Sequence, residues 1–168
     1  MAIMTPSEVL ERLSSFPLSS FAPGEAVLSQ ATATGRLLFL REGVVDVALE
    51  DVFIARVAEP GAVFGDISFL LDQPHSAAVI AAEESRFHVV EDPEGFLEAE
   101  PRIAIYVAQI LARRLNAVNH LLAEARHRID ESDGPPAYLR ETLDRMGHAL
   151  EIHFPTERTE ARRGQASA

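Results

Sequence analysis

The chain contains no cysteine and no lysine. Without cysteine there is no disulfide, no zinc ribbon and no thiol catalysis. All fifteen basic residues are arginine, which reads as coding bias before function. No apolar run approaches the roughly 18 residues that a membrane-spanning helix needs, so no membrane contact is expected. The start, Met1 to Leu10, lacks a basic region followed by an apolar one, so no secretory signal is expected. With no cysteine to oxidise, a cytoplasmic location is the expectation. A basic excess is missing too: the formal net charge is -11. Proteins that bind polyanions neutralise phosphates with a basic face, so DNA is not an expected partner.

What is present suits one globular core. The chain has 168 residues, of which 47% are hydrophobic. Pro6 to Leu13 reads as a short helix with Val9, Leu10 and Leu13 on one face. Thr5 is a natural N-cap, Pro6 takes the first helical position, and Glu8 completes a capping box.

From Phe21 to Val90 short β-rich runs alternate with turn residues. They are Ala26–Leu28, Arg36–Arg41, Val44–Leu49, Val52–Val57, Ala77–Ala82 and Arg86–Val90. Val45, Val47 and Leu49 alternate with Val44, Asp46 and Ala48, as in a half-buried strand, and Glu50-Asp51 forms a hairpin tip. This even spacing predicts a sandwich, roll or barrel.

From Pro101 to Ile129 the period becomes helical, with Ile103, Val107, Ile110, Leu111, Leu115, Val118, Leu121 and Leu122 at steps of three and four. A helix this long either lies along the β-structure or pairs with its copy, and the two arrangements are compatible. The expected organisation is therefore a domain over residues 5–130, a linker over 131–136, a further helix over 137–152 and a polar, disordered tail over 153–168.

The segment from Gly61 to Ala78 carries the chemistry. Gly61 and Gly65 permit tight backbone paths, Asp66 to Leu71 can form one or two helical turns, and Pro74 closes the loop. This stretch, Phe64-Gly65-Asp66, a short helix, then Pro74-His75-Ser76-Ala77, resembles the phosphate-binding cassette of the cyclic nucleotide-binding domain family. That family includes the catabolite activator protein, kinase regulatory subunits and gated channels. Phe21-Ala-Pro-Gly24-Glu25 resembles its opening turn, and Leu38-Phe-Leu-Arg-Glu-Gly43-Val-Val-Asp-Val47 its strand–turn–strand. Ala112-Arg-Arg-Leu115-Asn-Ala-Val-Asn119 resembles its long C-terminal helix. The resemblance runs from about Ser7 to about Ala125. It implies an α+β, mainly β fold: a β-roll or jelly roll (double-stranded β-helix) flanked by a short N-terminal helix and a long C-terminal one.

The resemblance also implies a pocket, with Phe64, Gly65, Asp66, Ile67, Ser68, His75, Ser76, Ala77 and Asn119 as its residues. Three features depart from the family. Asp66 stands where the family Glu meets the ribose 2′-hydroxyl, and its carboxylate is one methylene shorter. His75 stands where an Arg pairs with the cyclic phosphate. Arg is permanently charged and forked, whereas His is mostly neutral near pH 7. Val118 and Asn119 stand where hydroxyl side chains meet adenine; Val118 cannot hydrogen-bond a base and Asn119 can. Losing a charge-assisted bond costs about 1.5–3 kcal/mol, on the order of ten- to a hundredfold in affinity.

Other constellations are weaker. No His-x-His occurs, which argues against the metal enzymes built on this architecture. His120, Glu124 and His127 share a helical face, but solvated polar residues explain them better than a metal. Ser76 and His75 are chain neighbours with no orienting carboxylate in sight, so they are not a nucleophile–base pair. The residues after Ile129 are too few for the winged helix-turn-helix of the family's transcription factors. The expectation is a non-enzymatic, stand-alone regulatory domain with no catalytic residue, metal or required cofactor. Its ligand is a weakly held cyclic AMP or cyclic GMP, or another small anion. It forms a homodimer through helix 101–129. The alternative is a protein–protein interaction module with a vestigial pocket, its partner unknown.

Overall fold

The computed structural model describes residues 4–130 and 137–149. The expected linker and tail, and residues 150–152 of the last helix, lie outside these. The chain divides at Leu111/Ala112 into two compact units.

The first unit opens with α1 (Pro6–Arg12), capped as its sequence predicts: the Thr5 hydroxyl accepts from the Glu8 amide and the Glu8 carboxylate accepts from the Thr5 amide. The strands follow: β1 (Leu18–Phe21), β2 (Ala26–Leu28), β3 (Leu37–Glu42), β4 (Val45–Leu49), β5 (Val52–Val57) and β6 (Val63–Phe64). Helix α2 (Asp66–Leu71) precedes β7 (Ala78–Ala81), β8 (Ser85–Val90), α3 (Pro93–Ala99) and α4 (Pro101–Asp130). All pairings are antiparallel, in two four-stranded sheets ordered β1-β8-β3-β6 and β2-β7-β4-β5. This is the expected roll with its short leading and long trailing helix.

Alternation along β3 explains where the core sits. Leu38 and Leu40 join Phe64, Phe87, Val45 and Val79 between the sheets. Leu37 and Phe39 point the other way, into a second cluster with Val9 of α1, Leu13 just after it, Phe96 of α3, and Ile103 and Tyr106 of α4. Strand β3 is thus buried on both faces, which is why Leu37 to Leu40 is an unbroken apolar run. Phe39 and Phe87 are fully buried, and each stabilises the fold by about 1.5–3 kcal/mol through burial. The Tyr106 hydroxyl donates to the Gly61 carbonyl at 3.1 Å, tying the start of α4 to the turn that leads into β6.

Glu50 and Asp51 both have positive φ (48° and 65°), the backbone of a two-residue hairpin turn whose twist matches its strands. Most strand ends lie within a residue of expectation; β7, for example, begins at Ala78 rather than Ala77. Three elements were not expected. Strand β1 is only half-buried and carries two serines, so its pattern is faint. Strand β6 has two residues, too few for any period to register. Helix α3 is a single short segment capped by Asp92.

The second unit comprises the rest of α4 and α5 (Ala137–Ala149). Within it Leu122 is buried, Leu115, Val118 and Leu121 are exposed, and Arg128 pairs with Glu124 one turn earlier at 2.5 Å. That pair occupies the carboxylate of the His120/Glu124/His127 face, and no cluster able to hold a metal occurs among the described residues. No described helix is long and apolar enough to cross a membrane.

Candidate functional site

The cassette is built outward from β6. Phe64 is buried, its ring edge-on to Phe87 at 5.9 Å, and this anchors the chain as it leaves the sheet. Gly65 then takes φ +83° and becomes the N-cap of α2. A Cβ at this position would lie 2.3 Å from the Arg36 carbonyl oxygen and 3.9 Å from His75 Cε1. Only glycine satisfies both the backbone angle and the approach. Asp66 is therefore the first helical residue. Its side chain is buried, at the end of the helix that favours a carboxylate.

Ile67 is exposed, as are Leu70 and Leu71 further along α2. Ser68 is buried and its hydroxyl donates to the Gln73 carbonyl at 2.5 Å. That bond closes the loop after the helix, so the hydroxyl is used within the cassette. Asp72, at φ +49°, ends the helix in the left-handed region that a short polar side chain tolerates.

His75 is the best-held side chain here. It is 5% exposed. Its amide donates to the Thr32 carbonyl at 2.8 Å, and its own carbonyl accepts from the Ala31 amide at 2.9 Å. Its Nε2 lies 2.9 Å from Thr34 Oγ1. A hydroxyl both donates and accepts, so either neutral tautomer makes that bond. Burial disfavours the charged ring and moves its pKa below the ordinary 6.5. The position where the resemblance implies a cation thus holds a buried, neutral imidazole. Ser76 is exposed beside it and Ala77 is half-buried.

The geometry brings Gly65 and His75 together across α2, with Phe64, Asp66 and Ser68 buried and the Ser68 hydroxyl turned to Gln73. Asn119 belongs to the second unit, where its Oδ1 is buried with no hydrogen-bond partner among the described residues. Sequence reasoning missed the segment Ala31–Arg36. It supplies Thr34 and the carbonyls of Thr32 and Arg36, yet as an irregular polar loop it has no period to mark it.

The family model described as "Cyclic nucleotide-binding domain" matches residues 18–98, the roll and its cassette. Residues 18–98 thus carry the features of a cyclic nucleotide-binding domain. The Pycsar effector protein XpPycTIR of Xanthomonas perforans is 31% identical over 126 residues, 73% of this chain and 41% of that protein. The cGMP-dependent protein kinase of Plasmodium berghei (strain Anka) is 38% identical over 66 residues, 39% of this chain and 8% of the kinase. The chain spans less than half the length of these curated relatives. Among solved structures, the Catabolite Activator Protein of Thermus thermophilus superposes with a TM-score of 0.59 at 26% identity, covering 88% of this chain and 84% of that one.

Proposed function

We propose that the cassette of this cyclic nucleotide-binding domain takes a cyclic nucleotide with reduced affinity, and that the chain serves as a regulatory sensor rather than a catalyst. One observation carries the weakened affinity: within residues matched by the family model, the position expected to meet the cyclic phosphate is a buried histidine, His75, whose charged form is disfavoured by that burial. Asp66 in place of a glutamate adds to the effect by shortening reach. A relative named for its dependence on cGMP supports the ligand class. Exposed Leu115, Val118 and Leu121 support pairing of α4 with its copy.

A second reading, a protein-binding module with a vestigial pocket, rests on β5. It ends its sheet, and Val52, Phe53 and Ile54 on it are 61%, 61% and 56% exposed. Such a strand edge is a template for another chain.

Calorimetric titration with cyclic AMP and cyclic GMP separates the two. The sensor reading expects weak binding, and a tightening of about ten- to a hundredfold in the double variant Asp66→Glu with His75→Arg. No binding before or after that change, in a protein with unaltered circular dichroism, contradicts it and favours the module.

A further inference from the structure

We infer that Thr34 is a positioning residue for the cassette: by holding His75 it straps the segment 31–36 over the site, and an anionic group that engages His75 has to release that strap. The inference rests on the binding reading above for its ligand but not for its geometry.

Three bonds converge on this one residue from one loop. The Ala31 amide and the Thr32 carbonyl bracket the His75 backbone at 2.9 and 2.8 Å, and Thr34 Oγ1 holds the ring at 2.9 Å. Ala31, Thr32 and Thr34 are exposed while His75 beneath them is buried. The loop therefore covers the imidazole. At its start Ala31 sits at φ +62°, a left-handed conformation that a non-glycine residue rarely adopts. At its far end the Arg36 carbonyl lies against Gly65, so the same segment meets the chain both before and after α2. The Arg36 side chain is turned to Glu91 at 2.6 Å, which fastens that end to the residue after β8.

The chemical consequence concerns the ring nitrogen. Nε2 is occupied by Thr34, so it is offered to a phosphate only when that bond opens. Removing the hydroxyl lowers the cost of opening by one net hydrogen bond. Restoring a hydroxyl with serine restores the cost.

The test compares wild type, Thr34→Val and Thr34→Ser by amide hydrogen exchange without ligand and by calorimetry with cyclic AMP and cyclic GMP. The strap predicts faster exchange at the Ala31 and His75 amides in Thr34→Val, with serine returning it to the wild-type rate. It also predicts nucleotide binding tighter by about two- to tenfold in the valine variant, the worth of one hydrogen bond. Exchange unchanged by Thr34→Val overturns the strap. Faster exchange with unchanged or weaker nucleotide binding overturns the release step, since a merely structural bond behaves that way. If no variant binds nucleotide yet exchange follows the hydroxyl, the positioning of His75 stands and the binding reading is what fails.

Discussion

Two histidines in this domain are buried to the same depth and live in different circumstances. His75 is 5% exposed and His88 is 4% exposed. His75 sits in a loop, yet its amide, carbonyl and ring are all bonded to the segment across from it. His88 sits in β8 at the centre of a sheet, where its backbone is paired by β1 and β3. Its ring fares worse: Nδ1 lies 3.4 Å from the Phe16 carbonyl, a long contact, and Nε2 has no hydrogen-bond partner among the described residues. Burial alone is therefore a poor guide to a histidine's role. The loop residue is organised around its side chain, whereas the strand residue is held by its backbone and carries its ring at a cost.

The comparison breaks most severely if Gly65 tolerates a side chain. We expect Gly65→Ala to destabilise the domain by about 2–4 kcal/mol, from the positive φ and the collision with the Arg36 carbonyl that fastens the strap beside His75. A denaturant midpoint within error of wild type would show that the segment 31–36 is free to move and that His75 is loosely held.

Leucine in place of each histidine sharpens the contrast through opposite signs. His75→Leu gives up the bond to Thr34, and we expect a loss of about 1 kcal/mol. His88→Leu removes a buried nitrogen without a partner, and the expected change runs from neutral to a gain of about 1 kcal/mol. Urea unfolding of both variants measures the pair. Equal losses would mean that the two rings are equivalent core fillers.

The smallest effect is the pH dependence. The folded-state pKa of His75 lies below 6.5 because burial penalises its charged form. In the unfolded chain the ring takes up its proton near 6.5, while the folded ring still refuses it. The contribution is therefore whole above that pH, falls as acid is added through it, and levels off once the folded ring also protonates. The difference in stability between wild type and His75→Leu should shrink on acidification below neutrality. A difference that grows would assign the opposite sign to the shift.

Much of the roll was legible in the chain. Arg36 to Arg41 announced a strand, Glu50-Asp51 a hairpin tip, and Thr5 with Glu8 a helix start, because each is a local signal with a local cause. The short helix Asp66–Leu71 was legible too, from Gly65 before it and Pro74 after it. The closure of the cassette was not. That Ser68 turns back to Gln73, and that Thr34 reaches His75 across forty-one positions, depends on the path of a loop with no repeating pattern. His88 was equally hidden, since in the chain it is one polar residue in a strand and nothing local says that helices cover its outer face.

The most direct test follows the His75 ring by NMR as pH is lowered through neutrality in the ligand-free protein. A neutral, strapped imidazole at the phosphate position predicts a midpoint below 6.5, displaced toward that value in Thr34→Val as the ring gains access to water. A midpoint above 6.5 in wild type would mean that His75 carries charge as the family arginine does, and the account of weakened binding would be contradicted.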